Sequence, residues 1–278
     1  MRIGVRGHDM ERVPFEELVS NINKKGFKCT QLALSKAIYE FNTGVEAMTP
    51  GMALYVKQVF AENKVDVAVL GCYLNLGNPN QEQLRKTIDI YKAHIRFASL
   101  LGCGVVGTET GAVNEQYKYE PANHTEEALQ IFIKNFREVV EYAEKMGVIV
   151  CIEPVCGHIV CDIKRARKVL DAINSPNLQI IFDPVNVIDI NNYEKQDEIL
   201  TEAFTLLKDD IAVIHAKDFI VEDGKVKSVI SGRGMLNYDL LMGLIKKHKP
   251  FIHVLLENTS PDNVFEAKEF VEKKYREA

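Results

Sequence analysis

The sequence predicts an α/β fold, a single (β/α)8 TIM barrel domain spanning residues 1–278, and three observations carry that prediction. Short apolar runs alternate with longer amphipathic segments from end to end, eight times over. The length of 278 residues is close to the roughly 250 of a typical barrel. No GxGxxG follows the first run, which disfavours the rival architecture, an open doubly wound sheet.

The predicted strands are Arg2–Arg6, Lys28–Ala33, Val65–Gly71, Gly104–Thr108, Val148–Glu153, Gln179–Asp183, Ala212–Ala216 and His253–Glu257. Several are continuous apolar runs, such as VAVL, VIVCI and AVIHA, as expected of strands buried on both faces. The intervening segments carry helix punctuation. FEELVSNINKKG ends at Gly26, and PGMALYVKQVFAENK starts at Pro50. PNQEQLRKTIDIYKAHIRFASLLG ends at Gly102. HTEEALQIFIKNFREVVEYAEKMG begins at Thr125, a capping residue, and ends at Gly147. Four further helices are expected in CDIKRARKVLDAIN, EKQDEILTEAFTLLKDD, NYDLLMGLIKKHK and SPDNVFEAKEFVEKKYREA. The longest irregular stretches follow the fourth strand (Gly111–His124) and the seventh (Glu222–Asn237). Loops after strands fall at the catalytic end of a barrel.

A formal net charge of −5 argues against a nucleic-acid partner, which asks for a basic face. No run approaches the roughly 20 apolar residues of a membrane span, and the opening MRIGVRGHDMERVPF is not a signal peptide. The expected location is cytoplasmic. The six cysteines form no CxxC pair and read as reduced thiols, with core packing as the default role. Nothing in the helix surfaces marks an interface, and a homo-oligomer stays open.

The chemistry gathers at the ends of the last four strands. VIVCIEP ends in Glu153, QIIFDPVN carries Asp183, AVIHAKD carries His215 and HVLLEN carries Glu257. The residue two before each is apolar: Cys151, Ile181, Val213 and Leu255. Side chains two apart share a strand face. If the apolar set fills the barrel, the polar set stands just above it at the C-terminal rim. A lone strand-end carboxylate is often a cap or loop anchor, and a lone histidine is often a satisfied core residue; four at matching positions on successive strands are far more specific. Three carboxylates and an imidazole converging there ask for one divalent metal ion. Oxygen-rich ligation with one imidazole suits Mn²⁺ first, with Co²⁺, Zn²⁺ and Mg²⁺ as alternatives.

These segments resemble the xylose isomerase-like barrel superfamily, which includes sugar isomerases, ketose 3-epimerases, hydroxypyruvate isomerases, inosose dehydratases and endonuclease IV. The resemblance covers nearly the whole chain and is strongest at IEP, FDP, HAKD and LLEN. The turn SGRGMLNYDLL before the last strand also resembles that superfamily. The resemblance implies that Glu153, Asp183, His215 and Glu257 bind the metal and that Glu153 and Glu257 exchange protons with substrate carbon. Further residues point to the same mouth as substrate-binding candidates. Lys217 shares strand parity with His215, with an ion pair to a neighbouring carboxylate as its alternative role. Glu109 stands in GTETG, with loop anchoring as its alternative. His8 and His158 follow the first and fifth strands. Arg233, in SGRG, is a candidate for a phosphate or carboxylate.

The resemblance breaks at defined points. Ketose 3-epimerases and endonuclease IV place a histidine three residues after the strand-six aspartate; here that place is Asn186, expected to meet substrate itself. The glutamate and arginine of typical epimerases correspond to Ile159 and Val221. LGCYLNLGNPN resembles a loop of endonuclease IV, but Leu70 and Gly71 stand where that family needs a histidine, and GTETG has none. The expected activity is therefore a metal-dependent isomerase or epimerase of a small carbohydrate or other polyhydroxy carbonyl compound. An inosose-dehydratase-like lyase and a non-catalytic sugar-binding barrel are the alternatives.

Overall fold

The computed structural model describes residues 1–278. Ten strands are present: β1 (Arg2–Arg6), β2 (Cys29–Leu32), β3 (Asp66–Gly71), β4 (Val105–Glu109), β5 (Ile149–Glu153), β6 (Leu178–Phe182), β7 (Ile211–Ala216), β8 (Asp218–Glu222), β9 (Lys225–Val229) and β10 (His253–Leu256). Eight of them close a barrel in the order β1-β10-β7-β6-β5-β4-β3-β2, every neighbour parallel. Each predicted strand is found, its ends matching or shifted by one residue. Asp183 and Glu257 step off β6 and β10 by one residue rather than ending them.

The helices are α1 (Phe15–Lys24), α2 (Leu34–Ala37), α3 (Pro50–Glu62), α4 (Gln81–Leu101), α5 (Glu126–Met146), α6 (Ile163–Ile173), α7 (Gln196–Leu207), α8 (Tyr238–His248) and α9 (Val264–Glu277). Their ends follow the sequence punctuation. Thr125 accepts from the Ala128 amide, and Gly102 and Gly147 adopt left-handed conformations that close α4 and α5. Such a threonine cap contributes on the order of 1 kcal/mol. The single-turn α2 was not expected. No helix is long and apolar enough to cross a membrane.

One expectation needs correction. The stretch Glu222–Asn237 is not wholly irregular: β8 and β9 form an antiparallel hairpin from Asp218 to Val229. Its two-residue turn is Asp223–Gly224, both at positive φ (52° and 69°). An Asp-Gly pair is the preferred chemistry for that turn, because its twist matches the flanking strands.

The core has two parts. A large layer lies between the barrel and the helices. A small cluster inside the barrel joins Cys29, Ala68, Val69, Cys151, Ile181, Val213 and Leu255. Four of these are the residues that precede the polar tetrad by two, so strand alternation places the tetrad directly above a packed apolar floor.

Candidate metal centre and active site

Glu153, Asp183, His215 and Glu257 are all buried, and each offers a ligand atom within 4.8 Å of the others. His215 Nδ1 lies 3.2 Å from Glu153 Oε1 and 3.1 Å from Glu257 Oε1. Its Nε2 is 2.8 Å from the Gln31 carbonyl oxygen, Oε1. Asp183 divides its work. Oδ1 accepts from the amides of Val185 (2.9 Å) and Asn186 (3.3 Å), capping the turn that leaves β6. Oδ2 is buried without a hydrogen-bond donor; Lys217 Nζ approaches it to 2.8 Å as an ion pair outside hydrogen-bonding geometry.

Positive side chains balance the carboxylates. Lys217 Nζ also donates to Glu257 Oε2 at 3.1 Å and to Asn186 Oδ1 at 2.7 Å. Asn186 Nδ2 in turn donates to Glu153 Oε1 at 2.7 Å. Arg6 Nη1 lies 3.2 Å from Glu257 Oε1 and pairs through two bonds with Asp9. Burial opposes the charge on His215, yet Glu153 and Glu257 hold its pKa up at about 10. Burial pushes the Asp183 carboxyl up to about 6, against the pull of Lys217. Glu257 stays well below the usual carboxylate range: burial opposes, but His215, Lys217 and Arg6 outweigh it.

The donor set fits a divalent cation on three counts. It is oxygen-rich with one imidazole, the composition that suits Mn²⁺ and its neighbours. Its carboxylates would be costly to bury without cationic company. One oxygen, Asp183 Oδ2, has no hydrogen-bond donor in the protein and meets only the Lys217 ammonium, as an ion pair at 2.8 Å.

Above the tetrad lies a cavity of about 230 Å³ whose lining is almost wholly polar. A larger one, about 430 Å³, opens at the opposite end beside Arg2, Asp66 and His253. It brings together no comparable ligand set, so chemistry rather than size selects the C-terminal mouth. Of the further candidates, His8, Glu109, Asn186 and Lys217 line the polar cavity. His158 stands behind it, with Nδ1 3.8 Å from Glu109 Oε2 and its ring against Tyr117. Glu109 also accepts from the Tyr117 hydroxyl at 3.1 Å. Burial pushes the pKa of both His8 and His158 down to about 4, with Arg6 and Lys36 adding to the effect at His8.

Arg233 is not brought to the mouth. It is exposed and held by Glu266, with Nε 2.8 Å from Oε1. Gly232, at φ 92°, turns the loop over Phe270 instead of the cavity. The lining includes residues that the sequence reading missed: Arg6, Gln31, Lys36, Tyr73 and Asn258. Gln31 was within reach of the same rule that found the tetrad, since Cys29, two before it, packs inside the barrel.

A profile of the family described as "Xylose isomerase-like TIM barrel" matches residues 12–274. The chain is 26% identical over 192 residues to a probable L-ribulose-5-phosphate 3-epimerase of Mycoplasma pneumoniae, covering 69% of this chain and 58% of that protein. It therefore spans little more than half the length of this curated relative. Among solved structures, it resembles a D-tagatose 3-epimerase-like protein with a TM-score of 0.79 at 19% identity, covering 99% and 97% of the two chains. It also resembles a 3-keto-D-glucoside 4-epimerase from E. coli with a TM-score of 0.74 at 14% identity, covering 98% and 99%. At such identities the structural likeness speaks for the fold. With the profile matching almost end to end and the barrel closed as the pattern required, this chain belongs to the xylose isomerase-like TIM barrel family.

Proposed function

We propose that this chain is a divalent-metal-dependent isomerase or epimerase of a small sugar or related polyhydroxy carbonyl compound, with Mn²⁺ as the preferred ion and Co²⁺, Zn²⁺ or Mg²⁺ as substitutes. The observation that carries this reading is the convergence of three carboxylates and one imidazole beneath a small polar cavity. The ion would be held by Glu153, Asp183, His215 and Glu257, and when bound it supplies Lewis acidity toward oxygens of the substrate.

The remaining work falls to the chain's own residues. Glu153 and Glu257 stand at the ends of β5 and β10, separated around the barrel by β6 and β7. They can therefore address a substrate carbon from two sides, one removing a proton and the other returning it. They are held differently. Glu153 uses Oε1 for Asn186 and His215, leaving its second oxygen for the substrate. Glu257 has both oxygens engaged, by His215 and Arg6 on one side and Lys217 on the other. This favours Glu153 as the group that first takes the proton. The epimerase names of the relatives agree with such a proton transfer.

The test is a panel of ketoses, inososes and hydroxypyruvate in deuterated water with Mn²⁺-loaded protein. Deuterium should enter at carbon without loss of water, and the Glu153→Gln, Glu257→Gln double variant should be inactive. Loss of one water would assign the lyase alternative. Tight sugar binding without exchange would assign a non-catalytic barrel. Full activity and full metal content in the double variant would reject the site.

A further inference from the structure

A chain of three side chains, buried His215 and Gln31 and half-buried Tyr73, leads from the ligand cluster into the cavity. His215 Nδ1 faces Glu153 and Glu257, so it is the ring atom on the ligand side. Nε2 then carries the proton that is donated to Gln31 Oε1 at 2.8 Å. An amide whose oxygen is taken must present its NH2 to its other neighbour. Gln31 Nε2 accordingly donates to the Tyr73 hydroxyl oxygen at 2.8 Å. The hydroxyl oxygen is thus an acceptor toward Gln31, and its own proton has no acceptor in the protein. Tyr73 lines the polar cavity.

The surroundings make room for this ring. A Cβ on Gly71 would stand 2.9 Å from Tyr73 Cε2, so the ring occupies space that a side chain at 71 would otherwise need. A Cβ on Gly107 would stand 3.7 Å from the Tyr73 hydroxyl and much closer to Ile181 and Val69. Burial, followed by Glu153, Glu257 and Glu109, keeps the phenol protonated by raising its pKa well above the ordinary value. The group is therefore a fixed neutral donor.

We propose that Tyr73 contacts the substrate, donating its hydroxyl proton to a carbonyl or hydroxyl oxygen beside the reacting carbon, and that Gln31 is the positioning residue that orients both this donor and the His215 ring. The Tyr73 part rests on the proton-transfer reading above; the Gln31 part rests on the hydrogen bonds alone. A donor already aimed where negative charge develops stabilises a transition state more than a ground state. An outer partner that holds a histidine's second nitrogen sharpens its ligation.

Three full-length variants test this, read by Mn²⁺ titration calorimetry and by deuterium exchange into whichever panel compound the wild type turns over. Tyr73→Phe removes only the hydroxyl. It should bind Mn²⁺ as wild type does and lose about 10²-fold in kcat, with KM nearly unchanged. Gln31→Leu should weaken Mn²⁺ binding by roughly 10- to 100-fold. Gln31→Glu offers only acceptors. It should keep Mn²⁺ affinity while capturing the Tyr73 proton, so its kcat should fall as in Tyr73→Phe. Exchange within twofold of wild type in Tyr73→Phe overturns the donor, and unchanged Mn²⁺ affinity in Gln31→Leu overturns the positioning role. A wild type that binds Mn²⁺ but exchanges nothing would sink the proton-transfer reading instead, and the Mn²⁺ titrations would still decide on Gln31.

Discussion

Asn186 donates to Oε1 of Glu153 at 2.7 Å, and through its own carbonyl oxygen accepts from Lys217 at the same distance. Asn186 thus ties one acidic ligand candidate to the cation balancing the others. Asn186→Ala is expected to lower the exchange rate by about 10- to 100-fold, as loss of an outer partner does. Its stability should fall by about 1–3 kcal/mol, since charged partners are left under-satisfied. Single-turnover kinetics and urea unfolding check the two parts; an unchanged exchange rate would make Asn186 a bystander.

Arg233→Ala is expected to leave exchange and KM unchanged, including for phosphorylated members of the panel. The side chain lies outside the cavity in an exposed pair with Glu266. Such pairs contribute about 0–1 kcal/mol. Steady-state kinetics check this, and a large rise in KM confined to phosphorylated sugars would return Arg233 to the site.

His158 supplies a pH prediction. Its pKa is lowered by burial to about 4 from an ordinary 6.5. Between those values the unfolded chain binds more protons than the folded one, so stability rises with pH in that window. The contribution is whole above about pH 6.5 and is lost as pH falls toward 4. His158→Gln should therefore lose less stability than wild type between pH 7 and 4.5. Urea midpoints at both pH values measure the difference; equal losses would show that His158 is protonated as readily when folded as when unfolded.

How much was legible follows from where the information sits. The tetrad was readable because strand alternation has a fixed period: Cys151 before Glu153 and Leu255 before Glu257 assign their faces without any tertiary knowledge. Gln31 obeys the same rule behind Cys29 but lies on a strand with no carboxylate or histidine to draw notice. The β8–β9 hairpin had its signal in Asp223–Gly224, yet VEDGKVKSV is mostly exposed and its only apolar residues are three half-buried valines, so its alternation is faint. Arg233 and Tyr73 lie on loops, whose direction is set by contacts distant in sequence: Gly232 against Phe270 for one, Gly71 and Gln31 for the other.

We propose Glu153, Asp183, His215 and Glu257 as one divalent-metal site. The most direct measurement is Mn²⁺ titration calorimetry on chelator-stripped protein, comparing wild type with His215→Ala and Asp183→Asn. The expected result is one Mn²⁺ per chain for wild type, with protons released as His215 gives up the charge it carries beside its two glutamates, and binding lost or weakened by orders of magnitude in both variants. Wild-type protein that takes up no divalent ion, or variants that bind it undiminished, would contradict the site.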